Sequence, residues 1–103
     1  MFILFFFNIK LNGDILFNLK DAEYAAQVLG VNFTKFTIEE FLDGINIELE
    51  HGFVSPSTNV TNDNLIKTAK IALAHLNEHP NYYNKEYGLR MFEKFLETKT
   101  EVM

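Results

Sequence analysis

The six residues Phe36-Thr37-Ile38-Glu39-Glu40-Phe41 constrain this chain more than any other stretch. Thr37-x-x-Glu40 is a capping box, in which each side chain caps the other residue's backbone N–H. Phe36 and Phe41 fill the two positions of a hydrophobic staple around it. A helix therefore starts after Thr37, and the stripe Ile38, Phe41, Leu42, Ile45 and Leu49 faces a core. Gly52 is the expected stop.

Similar punctuation divides the rest. Asn18 or Asp21 caps a first helix to about Leu29, with Ala22, Ala25, Ala26 and Leu29 on its buried face. Gly30 suits a left-handed C′ position, and Val31 the apolar contact beyond it. Residues 53–61 form a loop rich in Ser, Thr, Asn and Pro. Thr61, Asn62 or Asp63 caps a third helix to about His79, lined by Leu65, Ala69, Ala72, Leu73 and Leu76. Pro80 stops it, because the residue before a proline is pushed out of the α region. A fourth helix is expected from about Tyr82 or Asn84 to Glu97. Its apolar surface is Tyr83, Tyr87, Met91, Phe92, Phe95 and Leu96, and Gly88 weakens it by about 1 kcal/mol relative to Ala. The fold class is mainly α: a compact bundle of three to four helices in one domain over 20–98, with residues 99–103 frayed.

The first nineteen residues follow another rule. Residues 1–20 hold 13 apolar residues and five of the eleven phenylalanines. The run stops at six before meeting Asn8, Lys10, Asn12 and Asp14, short of the ~18 apolar residues a membrane span needs. No basic residue precedes it, as a secretory signal would require. An extended arm over 1–19 fits better, and Asn12-Gly13 favours a type I′ hairpin turn between strands near 2–11 and 14–19. Phe, Asn, Ile and Lys are abundant throughout, as in AT-rich coding sequence, so an appended start reads equally well. Uncovered, such an arm is an oligomer interface or an aggregation hazard.

Composition removes whole classes of function. With no cysteine, zinc ribbons, iron–sulfur clusters and thiol catalysis are excluded, and a cytoplasmic setting is the expectation. Formal charge is −5, which opposes nucleic-acid binding. What remains is a set of histidines beside carboxylates. Glu48-Leu49-Glu50-His51 contains Glu-x-x-His, and His75-Leu76-Asn77-Glu78-His79 reads H-x-x-E-H. Residues three and four apart share a helix face, so Glu48, His51, His75, Glu78 and His79 could hold one divalent zinc, manganese or iron ion. H-x-x-E-H is also a metalloprotease signature, but the chain is short and Pro80 follows His79 directly. Helical geometry adds an objection: His51 lies about 140° from the centre of its apolar stripe, toward solvent. A tight hairpin of the two helices sets His75 opposite Ile38 rather than Glu48. The plainer reading makes Glu48 and His75 half-buried polar partners of each other or of loop backbone. Asn59, Thr61 and Asp63 in the loop, with Tyr82 and Tyr83 after Pro80, are candidate contacts for a partner or ligand. The sequons at Asn32 and Asn59 read as a turn and a cap. No residue set reads as catalytic.

Several of these segments recur together: Leu29-Gly30-Val31-Asn32-Phe33, Glu48-Leu49-Glu50-His51-Gly52, Thr58-Asn59-Val60-Thr61-Asn62-Asp63 and Ile71 to Glu78, then Pro80 and Tyr82-Tyr83. In them the stretch from Ala22 to about Tyr87 resembles a small uncharacterised domain family of bacterial and phage proteins. The resemblance implies a compact helical domain and no particular reaction. The family pattern often carries an apolar residue at the position of His79, and it omits the apolar arm. The leading expectation is a non-enzymatic binding or interaction module with an unknown protein partner and no membrane span. A small metal-binding protein and a protein that self-associates through its arm are the alternatives.

Overall fold

The computed structural model describes residues 16–102. The apolar arm and its Asn12-Gly13 turn lie outside the described residues, apart from Leu16, Phe17 and Asn18, which are non-helical, and Leu19, which already belongs to a helix. Four α-helices follow: α1 (Leu19–Leu29), α2 (Ile38–Val54), α3 (Leu65–Glu78) and α4 (Leu89–Val102), with a short 3₁₀ turn at Pro56–Thr58. There is no strand among the described residues. None of the helices is long and apolar enough to cross a membrane.

The caps place the first three helices. Asn18 accepts from the Asp21 N–H at 2.9 Å, and Asp21 accepts from the Asn18 N–H at 2.9 Å, so the two alternative cap residues form one reciprocal box. Gly30 is left-handed at φ 68°, and the Val31 N–H returns to the Ala26 carbonyl at 2.9 Å, closing a Schellman motif. At α2, Glu40 N–H donates to Thr37 Oγ1 at 3.1 Å and Thr37 N–H to Glu40 at 2.8 Å. Phe36 and Phe41 stand 6.5 Å apart, and Phe33 packs edge-on against Phe36 at 5.8 Å.

Four boundaries differ from the sequence expectation. Gly52 does not end α2, which runs on to Val54. Instead Gly52 lies against Asn59, whose Oδ1 would be 2.6 Å from an added Cβ. The third helix begins at Leu65, because Asn64 rather than an earlier residue caps the Lys67 N–H at 2.9 Å. Asn62 and Asp63 instead sit in the turn before it, both at positive φ. Residues 80–88 are turns, so the fourth helix starts at Leu89 instead of 82–84, and it continues through Lys99 to Val102 rather than stopping near Glu97.

Three helices make the core. Ala22, Ala25 and Ala26 of α1 let it approach Phe41 and Ile45 of α2 and Ala69, Ala72 and Leu76 of α3, all of them buried. Central α2 also buries Ile47 and Glu50, off its expected stripe. Just before α1, the Asn46 amide clips the chain: its Oδ1 accepts from the Phe17 N–H at 2.9 Å and its Nδ2 donates to the Phe17 carbonyl at 3.0 Å. The capping box gives a direct test. Thr37→Ala is expected to cost about 1 kcal/mol in urea unfolding with an unchanged m-value.

Candidate functional site

Tyr83 is the centre of the site. After Pro80 the chain folds into successive turns, with Asn84 Oδ1 accepting from the Glu86 and Tyr87 N–H groups at 2.7 and 3.1 Å. The Leu89 N–H then returns to the Tyr82 carbonyl at 2.6 Å. This lays the Tyr83 ring on α2 at Gly44, where an added Cβ would overlap the ring edge. Only a residue without a side chain leaves that space. The ring is 3% exposed, and its hydroxyl emerges one helical turn further along α2, at Glu48.

There it donates to Glu48 Oε2 at 2.6 Å. His75 of α3 closes the group, with Nδ1 2.9 Å from the Tyr83 oxygen and 3.2 Å from Glu48 Oε2. Since the hydroxyl proton is committed to the carboxylate, Nδ1 acts as a donor. Tyr82 stacks on the His75 ring at 4.2 Å and 10°. On the other carboxylate oxygen, His51 Nδ1 lies 3.5 Å from Oε1, while its Nε2 lies 3.7 Å from Glu93 of α4. His51 is thus turned between two carboxylates, not toward solvent. Glu48 and His75 meet because α2 ends later and α3 begins later than the sequence suggested. The two helices thus bring His75 to Glu48 rather than to Ile38.

The loop is braced beside this cluster. Asn59 Nδ2 donates to Asp63 at 3.0 Å, and Asn59 Oδ1 accepts from the Asn62 N–H at 3.1 Å. Thr61 is buried and its Oγ1 lies 3.4 Å from Asn59 Oδ1. Glu48, His51, Gly52 and Thr58 to Thr61 line a small cavity of about 180 Å³. Glu78 and His79, by contrast, are exposed at the end of α3. Among the described residues no three His, Asp or Glu side chains are arranged to hold a metal ion. A larger cleft of about 420 Å³ opens on the outer side, lined by His79, Asn81, Tyr82, Tyr87, Gly88, Leu89 and Phe92.

The family model described as Protein of unknown function (DUF5661) matches residues 22–94. The chain belongs to DUF5661. No curated protein and no solved structure matches it. The DUF5661 segment contains the whole cluster from Gly44 to Glu93 and ends one residue beyond Glu93. Within it, sequence reasoning found Glu48, His51 and His75, placed Tyr83 on a helix surface and among the candidate partner contacts rather than with Glu48, and missed Gly44 and Glu93. A glycine inside an amphipathic stripe, one turn before a polar candidate, was the available sign. Glu93 carried none, since it depends on where α4 lies.

The network sets the charge states. Burial pushes the Glu48 carboxyl up, but the contacts from His51 and Tyr83 and the attraction of both imidazoles outweigh it and hold it below the ordinary carboxylate range. Burial, the Glu48 charge and the hydrogen bond to it push the Tyr83 hydroxyl far above its ordinary value. Burial also raises Glu93. A carboxyl held low stabilises the fold above its unfolded pKa, and that contribution disappears as pH falls through the folded value. For a raised carboxyl such as Glu93 the sign reverses, with stability lost as pH rises. Glu48→Gln is therefore expected to lower stability by about 1–3 kcal/mol at neutral pH, the gap to the parent narrowing as pH falls below about 4. Urea unfolding at a series of pH values reads this directly, and a gap independent of pH contradicts it. Gly44→Ala should cost about 1–3 kcal/mol by overpacking, and the Tyr83 ring resonances in NMR should shift with it.

Proposed function

We propose that this chain is a non-enzymatic interaction module whose contact surface is the aromatic cleft between the 79–88 turns and α4. The carrying observation is the contrast between its two concave regions. Around Glu48 the polar groups are spent on one another: the Tyr83 hydroxyl, His75 Nδ1 and both Glu48 oxygens all face partners inside the cluster. The outer cleft is apolar and open, walled by Tyr82, Tyr87, Leu89 and Phe92 with a few polar groups at its rim. Concave apolar surfaces with sparse polar groups are the usual form of a binding site.

The polar cluster supports this reading as a brace. Tyr82 is stacked on His75 and so is held rigid as one wall of the cleft. The Asn59 to Asp63 loop, with its side chains engaged in its own hydrogen bonds, acts as a stiff rim near α2. A rigid aromatic wall contributes contact area at low entropic cost.

N-acetylphenylalaninamide is a minimal probe for the apolar segment such a cleft would receive. Titrated into labelled protein, it is expected to shift backbone amides in 79–92, saturably and in the millimolar range. Phe92→Ser, at a half-exposed position, should abolish those shifts and leave the helical circular dichroism unchanged. Shifts scattered over the surface, or absent, contradict the proposal.

A further inference from the structure

We infer that the exposed face of α4 pairs two copies of this chain about a two-fold axis, each copy's Phe95 seated in the other's aromatic cleft. The inference rests on the reading of that cleft as a contact surface and names its occupant.

The placement of knob and hole along one helix carries it. The cleft lies at the N-terminal end of α4, where Tyr87, Leu89 and Phe92 line it. Phe95 stands further along and is 52% exposed. Leu89 and Phe95 are six residues apart, about 9 Å along the helix axis. An antiparallel copy related by an axis crossing near Phe92 brings each Phe95 beside the other copy's Leu89. One operation then fills both clefts, which is the property of an isologous interface. A head-to-tail arrangement would fill one cleft and leave the other open.

Among the described residues, the rest of the molecule leaves this face available. α4 meets the bundle at its first turns, where Leu89 packs on the core and Glu93 faces His51. Tyr87, Met91 and Phe92 are 63%, 50% and 57% exposed. Aromatic side chains bury about 150–250 Å² each when fully covered. Half of that over Tyr87, Phe92 and Phe95, with Met91 counted at the same size, gives roughly 300–500 Å² per copy, or roughly 600–1,000 Å² for the pair. A specific interface needs about 1,000 Å² in total. The rim, including Lys99, whose Nζ lies 5.2 Å from the Phe95 ring centre, supplies the remainder. Such an area makes a weak dimer, populated at micromolar concentrations and above. Charge does not forbid it, since the exposed part of α4 mixes Lys94 and Lys99 with Glu97.

Sedimentation equilibrium of the full chain tests this between about 5 and about 500 µM, where a small interface saturates. The weight-average mass should rise from 12.0 kDa toward twice that value. Phe95→Glu should weaken association at least tenfold, with the helical circular dichroism retained because Phe95 is already half exposed. A constant mass across the range overturns the proposal, and so does a Phe95→Glu protein that associates like its parent. A constant mass with the Met91 methyl shielded from a gadolinium relaxation agent means the chain covers its own face, and equally overturns it. The underlying contact-surface reading is decided apart: N-acetylphenylalaninamide shifts in 79–92 that persist in a strictly monomeric chain keep that reading while the dimer falls.

Discussion

Everything distinctive about this bundle depends on one buried hydroxyl. Tyr83 reaches across from the turn after α3, lies on the bare backbone at Gly44, and donates its proton to Glu48 on α2. His75 of α3 completes the group from the other side. Three segments of the chain are thereby tied at one point, and the tie works only if all three partners are present. Removing any one leaves a half-buried donor or acceptor without its match, which costs more than an average hydrogen bond contributes. The apolar core around Phe41, Ile45 and Leu76 would hold α1, α2 and α3 together on its own. The hydroxyl is what fixes the 79–88 turns, and through them the start of α4.

Local chemistry was legible in the sequence because it is local. The Thr37 capping box, the Gly30 terminator and the alanine face of α1 each involve residues within a few positions of one another. Their outcome follows from helix geometry alone, and the helical class followed with them. The mixed results came where two signals of similar strength competed. Gly52 looked like a stop, but its missing side chain serves the close approach of Asn59, and α2 continues past it. Thr61, Asn62 and Asp63 are all good cap residues, yet the turn they form leaves Asn64 to cap α3.

The candidate site was half legible for a related reason. Glu48, His51 and His75 declared themselves by residue type, and a hydrogen-bonded Glu48–His75 pair was the plainer of the two readings. Their meeting point did not, because errors of a few residues at the facing helix ends add up in the register between α2 and α3. Tyr83 was read as part of a helix surface and as a candidate partner contact, not as a partner of Glu48. Its burial depends on Gly44, which is 39 positions away in sequence, and no local pattern connects the two. Glu93 belongs to the cluster only through the placement of α4. Membership of DUF5661 delimits the same segment and assigns it no chemistry of its own.

The Asn46 clip has a consequence for how the chain enters the bundle. The carboxamide pairs with both backbone groups of Phe17, as the adjacent residue of a neighbouring strand would. It is a sheet one residue wide. A real strand exposes a row of further donors and acceptors that can recruit the next chain. A side-chain amide ends after a single pairing, because it sits on a helix and has no next residue to offer. At Phe17, then, the backbone N–H and carbonyl are both satisfied without creating an edge from which β-structure could propagate.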